Sequence, residues 1–246
     1  MSETGDLLFA APHLRATLFN GLSDRLIVTF SFRQKGRVDF VTPTASQTFA
    51  SRGFAQLAVT SKINDWFINP DTSALETVLQ KLTSHYRAVH MVGFSMSGYG
   101  AFRFARAANA SYILAVSPQF SIHPDVVPYD RRYRADADGF DYDLGDLTKR
   151  PCPDLQGIIL VDPFRSLDLG HAHMLQELYP KVRLARLGFG GHPATGLLAR
   201  NGHAGVVQRT ALQSPPSPGP IIKTHRTDRR GDEDYNNALA ARLLLR

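Results

Sequence analysis

The chain is poor in cysteine, in tryptophan and in long apolar runs. One of its 246 residues, Cys152, is a cysteine. A disulfide within the chain needs two and a multi-cysteine zinc site needs more, so both are excluded. No run approaches the roughly 18 apolar residues that a membrane span requires. Charge is modest: 20% of residues are charged and 43% hydrophobic, the composition of a globular protein. The opening MSETGDLLFAAPHLR carries acidic residues where a secretory leader carries positive charge, so a cytoplasmic protein is expected.

The formal net charge is +6, and much of the excess lies late, in Arg209, Lys223, Arg226, Arg229, Arg230, Arg242 and Arg246. No zinc-finger spacing, RNA-binding aromatic motif or basic heptad accompanies these cations. They read as a solvated end, and nucleic acid is not an expected partner. No cofactor and no metal are expected either.

From residue 6 to about 192, short apolar runs alternate with amphipathic stretches. LIVTFSF (26–32), FAQLAVT (54–60), AVHMV (88–92), YILAV (112–116), IILV (158–161) and 182–187 read as strands. Segments 7–10 and 15–19 add antiparallel strands at one edge. After Asp71, Leu75, Val78, Leu79 and Leu82 recur at helical spacing, and 97–108 reads as a second helix. Strands alternating with helices predict a three-layer α/β fold, with a mostly parallel central sheet covered on both faces. Residues 117–155 are polar and aperiodic, too long for a plain connection, and fit a lid over a site. Beyond about residue 205 comes a separate basic extension, 206–246, with SPPSPGP (214–220) as an extended linker and a terminal helix.

The informative segment is Gly93-Phe94-Ser95-Met96-Ser97-Gly98. An apolar strand ends at a glycine, a serine follows two residues on, and a helix begins among small residues. Strand and helix approach closely at such a turn, so the positions two before and two after the serine must be small. The hydroxyl is thereby lifted clear of the sheet, beside the N–H groups that open the helix. In these residues the chain resembles the α/β-hydrolase family, with Ser97 standing where the family's elbow has its second glycine. Ser97 as nucleophile would put Tyr99 at the crowded position, so Ser95 is the candidate.

The resemblance covers about residues 6 to 205 and implies hydrolysis through an acyl-enzyme. Its partners follow in the order serine, acid, histidine, each at the end of a later strand. Asp162, directly after the GIILV strand, is then the expected acid, and His192, in the glycine-rich GFGGHPATG loop, the expected base, with His203 second. The oxyanion would be received by the Met96 N–H and by a second donor after the first long strand, nominally Phe32, with Ser31 the alternative. Esterases often carry a His-Gly pair there; this chain has none. Trp66 and Asn64, in the loop after FAQLAVT, face the same opening as a substrate wall, although Trp66 serves equally well as an anchor for the next helix. Arg131, Arg132 and Arg134 in the insert would favour an anionic acyl or sugar substrate. The expected activity is cleavage of a carboxylic ester or thioester, a small-molecule acyl substrate, by Ser95, His192 and Asp162. Acyl transfer by the same residues and a non-catalytic binding protein on the same fold are the alternatives.

Overall fold

The computed structural model describes residues 5–244. In chain order the elements are β1 (Asp6–Ala10), β2 (Leu14–Phe19), β3 (Arg25–Phe30), α1 (Gln47–Ala50), β4 (Ala55–Ser61), α2 (Thr72–Thr83), β5 (Ala88–Phe94) and α3 (Met96–Arg103). They continue with β6 (Tyr112–Val116), α4 (Tyr142–Gly145), β7 (Gln156–Val161), α5 (Ser166–Leu178), β8 (Val182–Arg186), α6 (Gly196–Arg200), α7 (Gly205–Ala211), α8 (Gly219–Asp228) and α9 (Glu233–Leu244).

The strands form one sheet in the order β1-β2-β4-β3-β5-β6-β7-β8. The β1–β2 and β2–β4 pairs are antiparallel and the remaining pairs parallel, as the alternation of strand and helix predicts. The chain leaves β3 toward β4 on one side and returns to β5 on the other. This reversal opens a crevice at the carboxyl ends of β3 and β5, where ligands gather in open α/β sheets.

Both faces of the sheet are buried, because strand side chains alternate and each set finds its own cover. Val28, Met91, Ile113 and Ile159 face α2, α3 and α5. Ile27, Leu114, Ile158 and Leu160 face α1, α6, α7 and α8. Burial of these aliphatic side chains at about 25 cal/mol per Å² is the main force closing the layers.

Two expectations change. The second helix ends at Arg103 rather than near residue 108. Phe102 and Phe104, two apart, would point away from each other on a continuing helix. Breaking the helix at Phe104 buries both and lets Phe104 stack on Phe30 at 5.8 Å. The boundary at 205 is also no edge of the core. Val206, Val207, Ala211 and Ile221 cover the sheet's second face, and the predicted linker runs directly into α8. Ile221 is fully buried. Ile221→Ala should therefore lower the unfolding free energy by about 2–4 kcal/mol in a denaturant titration; a change within about 0.5 kcal/mol, the range of a surface site, contradicts this packing.

Candidate active site

Ser95 sits between β5 and α3 with φ 53° and ψ −121°, a left-handed pose that a β-substituted residue adopts only when its surroundings force it. The surroundings here are close. A Cβ on Gly93 would lie 2.1 Å from the Ser97 carbonyl oxygen, so only glycine fits. Ser97 takes the other small position because its hydroxyl has partners: it accepts from the Phe94 N–H at 2.6 Å and donates to the Phe94 carbonyl at 2.7 Å. The Ser95 N–H is tied to the Val116 carbonyl at 2.8 Å, which anchors the turn to β6.

Strain of this kind is concentrated around the crevice. Of the non-glycine residues with positive φ, Trp66 and Phe67 follow β4, Ser95 follows β5, Ser117 follows β6 and Phe189 follows β8. The others among the described residues, Asn20 and Asn109, are asparagines, which tolerate the left-handed region.

The structure brings together Ser95 and His192, with Nε2 of the imidazole 2.8 Å from Oγ. The carboxylate on the other side of the ring is Asp168, not Asp162: His192 Nδ1 lies 2.8 Å from Asp168 Oδ2. The ionised carboxylate can only accept, so Nδ1 carries the proton and Nε2 is left to accept from the serine hydroxyl. Asp162 ends β7 as expected, but its oxygens accept from the Phe164 N–H at 3.0 Å and the Gly191 N–H at 2.9 Å. It closes its own Asp-Pro turn and pins the loop just before His192. The acid facing the ring comes one step later in the chain, from the first turn of α5. There the positive end of the helix dipole favours a carboxylate. His203 lies elsewhere, paired with Asp228 at 2.8 Å.

Asp168 is fully buried. Burial alone would raise its pKa, but the hydrogen bonds and charges of His192 and Arg132 prevail and hold the carboxyl below its usual value. Arg132 Nη1 reaches Asp168 Oδ1 at 2.5 Å, and its Nη2 reaches Asp130 Oδ2 at 2.7 Å. Arg134 donates to the Val127 and Pro128 carbonyls. Two of the three insert arginines expected to meet a substrate anion are thus engaged internally; Arg131 alone of them is exposed.

The insert folds over the site. Tyr133 places its hydroxyl 3.5 Å from His192 Nε2, and Arg33 ties the insert to the loop after β3 through Asp136 at 2.7 Å. Its apolar residues Phe120, Ile122, Phe140 and Leu147 join the main core, so it packs as part of the domain.

Trp66 and Asn64 are placed differently from a substrate wall. Trp66 is wholly buried and donates from Nε1 to Gln119 Oε1 at 3.3 Å; it has no surface to offer a ligand. The Asn64 amide is spent on the Gln34 backbone, accepting at 3.1 Å and donating at 2.7 Å, and so staples two loops. Gln119, which no motif marked, links Trp66 to the site: its Nε2 lies 3.4 Å from Ser95 Oγ and 3.3 Å from the Ser117 carbonyl.

Met96 opens α3, where backbone N–H groups lack intrahelical partners. Ser31 donates its N–H to the Val59 carbonyl at 2.9 Å, which removes it as the alternative oxyanion donor. Phe32 follows β3, and its N–H has no hydrogen-bond partner among the described residues. Arg37 fixes this loop by donating to the Phe32 carbonyl at 2.5 Å and to Ser31 Oγ at 3.0 Å. Among the described residues, no group of three or more His, Cys, Asp and Glu side chains is arranged to hold a metal ion, and no helix is long and apolar enough to cross a membrane.

Among solved structures, the chain is similar to the capsule O-acetyltransferase of Neisseria meningitidis serogroup A. The TM-score is 0.56 at 16% identity in a mutant form complexed with CoA, over 81% of this chain and 94% of that one. A second structure of that protein gives 0.54 at 17%, over 81% and 93%. The chain has the α/β-hydrolase fold. A dienelactone hydrolase from Anabaena variabilis is similar over 85% of this chain and 95% of that one, at a TM-score of 0.48 and 14% identity. No protein-family model and no curated protein matches the sequence. Within the α/β-hydrolase fold, the elbow demands glycine at position 93. Gly93→Ala should lower the thermal midpoint by roughly 2–12 °C, from an overpacking cost of about 1–3 kcal/mol; an unchanged midpoint contradicts the close approach of strand and helix.

Proposed function

We propose that the protein is a serine hydrolase that cleaves a carboxylic ester or thioester through an acyl-enzyme, with Ser95 as nucleophile, His192 as base and Asp168 as the orienting acid. The observation that carries this reading is the continuous alignment Ser95 Oγ–His192 Nε2 and His192 Nδ1–Asp168 Oδ2, both at 2.8 Å, on a serine held in the elbow pose. A serine hydroxyl is a weak nucleophile until a base takes its proton, and an imidazole serves as that base only in the correct tautomer. The two 2.8 Å contacts support the reading on both counts.

The chemistry then proceeds in two halves. Ser95 Oγ attacks the acyl carbon while its proton passes to His192 Nε2, and the imidazolium is balanced by Asp168. The tetrahedral oxyanion is received by main-chain N–H groups at Met96 and Phe32. Collapse breaks the acyl bond, and His192 returns the proton to the departing alcohol or thiol. Water, deprotonated by the same nitrogen, attacks the acyl-enzyme and releases the acid and free Ser95. Gln119, within reach of Oγ, keeps the hydroxyl in the rotamer that faces His192.

A second reading is acyl transfer. The fold is shared with an O-acetyltransferase that has been solved with CoA, and the same residues would pass the acyl group to an acceptor hydroxyl in place of water. Product analysis with acetyl-CoA or a short-chain ester, with and without a sugar acceptor, separates the two by the fate of the acyl group.

The nucleophile is tested with a fluorophosphonate probe and intact-mass analysis. The wild-type chain should gain one covalent adduct, mapped to Ser95, and Ser95→Ala should lose labelling and about a thousandfold or more of any esterase rate. Labelling that persists in Ser95→Ala contradicts the assignment.

A further inference from the structure

Behind Asp168 lies a second layer of charge that hydrolysis itself does not require. Asp168 and His171 are one turn apart on α5 and so share a face of that helix. The turn Asp130–Arg132 of the insert docks on both. Arg132 presents Nε and Nη2 to the two oxygens of Asp130, at 3.1 Å or less, which leaves Nη1 for Asp168 Oδ1 at 2.5 Å. Asp130 Oδ2 is held in turn by His171 Nε2 at 3.0 Å. The Phe120 N–H donates to His171 Nδ1 at 3.1 Å, so Nε2 carries the ring proton and donates to Asp130. Every polar atom of the relay is thereby assigned, from the Phe120 backbone to Asp168.

The relay is buried. Asp130 and His171 side chains are 2% and 0% exposed, and Arg132 is 23% exposed. A guanidinium whose fork is already clamped by one carboxylate has little rotational freedom, so its remaining N–H defines a direction. That direction fixes the Asp168 carboxylate with Oδ2 turned to His192. We propose that Arg132 is a positioning residue of the Ser95–His192–Asp168 alignment: clamped by Asp130 and His171, it orients Asp168 and sets where the Asp168–His192 pair takes up its inactivating proton. This inference rests on the proposed triad. It also makes the triad acid depend on docking of the insert, since the guanidinium comes from that segment and the carboxylate from α5.

The surroundings fix the sign of the pH effect. Asp168 is faced by His192, by Arg132 and by Arg165, whose Nε lies 3.6 Å from Oδ2 but whose side chain is half exposed. His192 is faced by Ser95, Asp168 and the Tyr133 hydroxyl. Arg132 also lies 5.3 Å from the centre of the Tyr133 ring. Removing Arg132 takes away a partly buried cation and leaves the Asp168–His192 pair more negative. A pair that shares a proton titrates as a unit, and the more negative pair binds the proton at higher pH.

The test is the second-order rate of fluorophosphonate labelling from pH 5 to 9, with thermal unfolding as the check that each variant is folded. Arg132→Gln should label about ten to a hundred times more slowly at the plateau, the cost of a loosened carboxylate. Its acid limb should shift upward by about half a pH unit or more. Arg132→Lys keeps the charge and loses the fork; it should keep the wild-type limb while losing part of the plateau. Should Arg132→Gln fail to fold, Arg132→Lys and Asp130→Asn carry the test, with a lowered plateau expected in both. A folded variant whose plateau and limb match wild type overturns the positioning role, as does Arg132→Lys with a limb displaced as far as that of Arg132→Gln. Absence of Ser95 labelling in the wild type removes the triad reading and this inference together.

Discussion

The left-handed pose of Ser95 is the constraint on which the rest of the site depends. A β-substituted residue at φ 53° is disfavoured by about 1–3 kcal/mol, and the surrounding structure must over-determine it. The means are visible: Gly93 lets the helix approach, the Ser97 hydroxyl satisfies both polar groups of Phe94, and β6 takes the Ser95 N–H. With the serine fixed, the histidine and its acid need only be delivered to one point above the sheet. The loop after β8 delivers the first and the opening turn of α5 the second.

Delivery of His192 is itself arranged by carboxylates with different tasks. Asp168 faces the ring, whereas Asp162 holds the N–H of Gly191 beside it. One acid therefore sets the electrostatics and the other the backbone. The insert adds a further constraint through Tyr133 and Arg132, so three separate segments must pack correctly before the alignment exists. Such a site is assembled by the whole domain and not by any one motif.

Much of this was legible in the sequence. The strands were marked by apolar runs rich in β-branched residues, and the sheet buried on both faces followed from their alternation with helices. The elbow was readable because its steric rule is local: Gly93, Ser95 and Ser97 are close neighbours in the chain. His192 stood out in a glycine-rich loop after the last strand. What failed was long-range. Asp162 and Asp168 are six residues apart, and only the packing of α5 decides which one meets the ring. An aspartate in a first helical turn looks like an ordinary dipole partner, so nothing local distinguished Asp168. Trp66, Asn64 and Arg132 were misplaced for the same reason: their partners Gln119, Gln34 and Asp168 lie at distant positions in the chain. Gln119 carried no signal at all. The basic end beyond residue 205 misled through composition, because Val206, Val207, Ala211 and Ile221 within it pack on the sheet.

The central claim is that a buried helical acid, and not the one at the strand end, completes the serine–histidine alignment. Pre-steady-state acylation by an activated ester, compared between Asp168→Asn and Asp162→Asn, measures it directly. The account predicts a loss of about ten-thousandfold for Asp168→Asn, which leaves the imidazole in the wrong tautomer, and a loss below about a hundredfold for Asp162→Asn, which loosens a loop. Near-wild-type acylation in Asp168→Asn, with the large loss in Asp162→Asn instead, would contradict it.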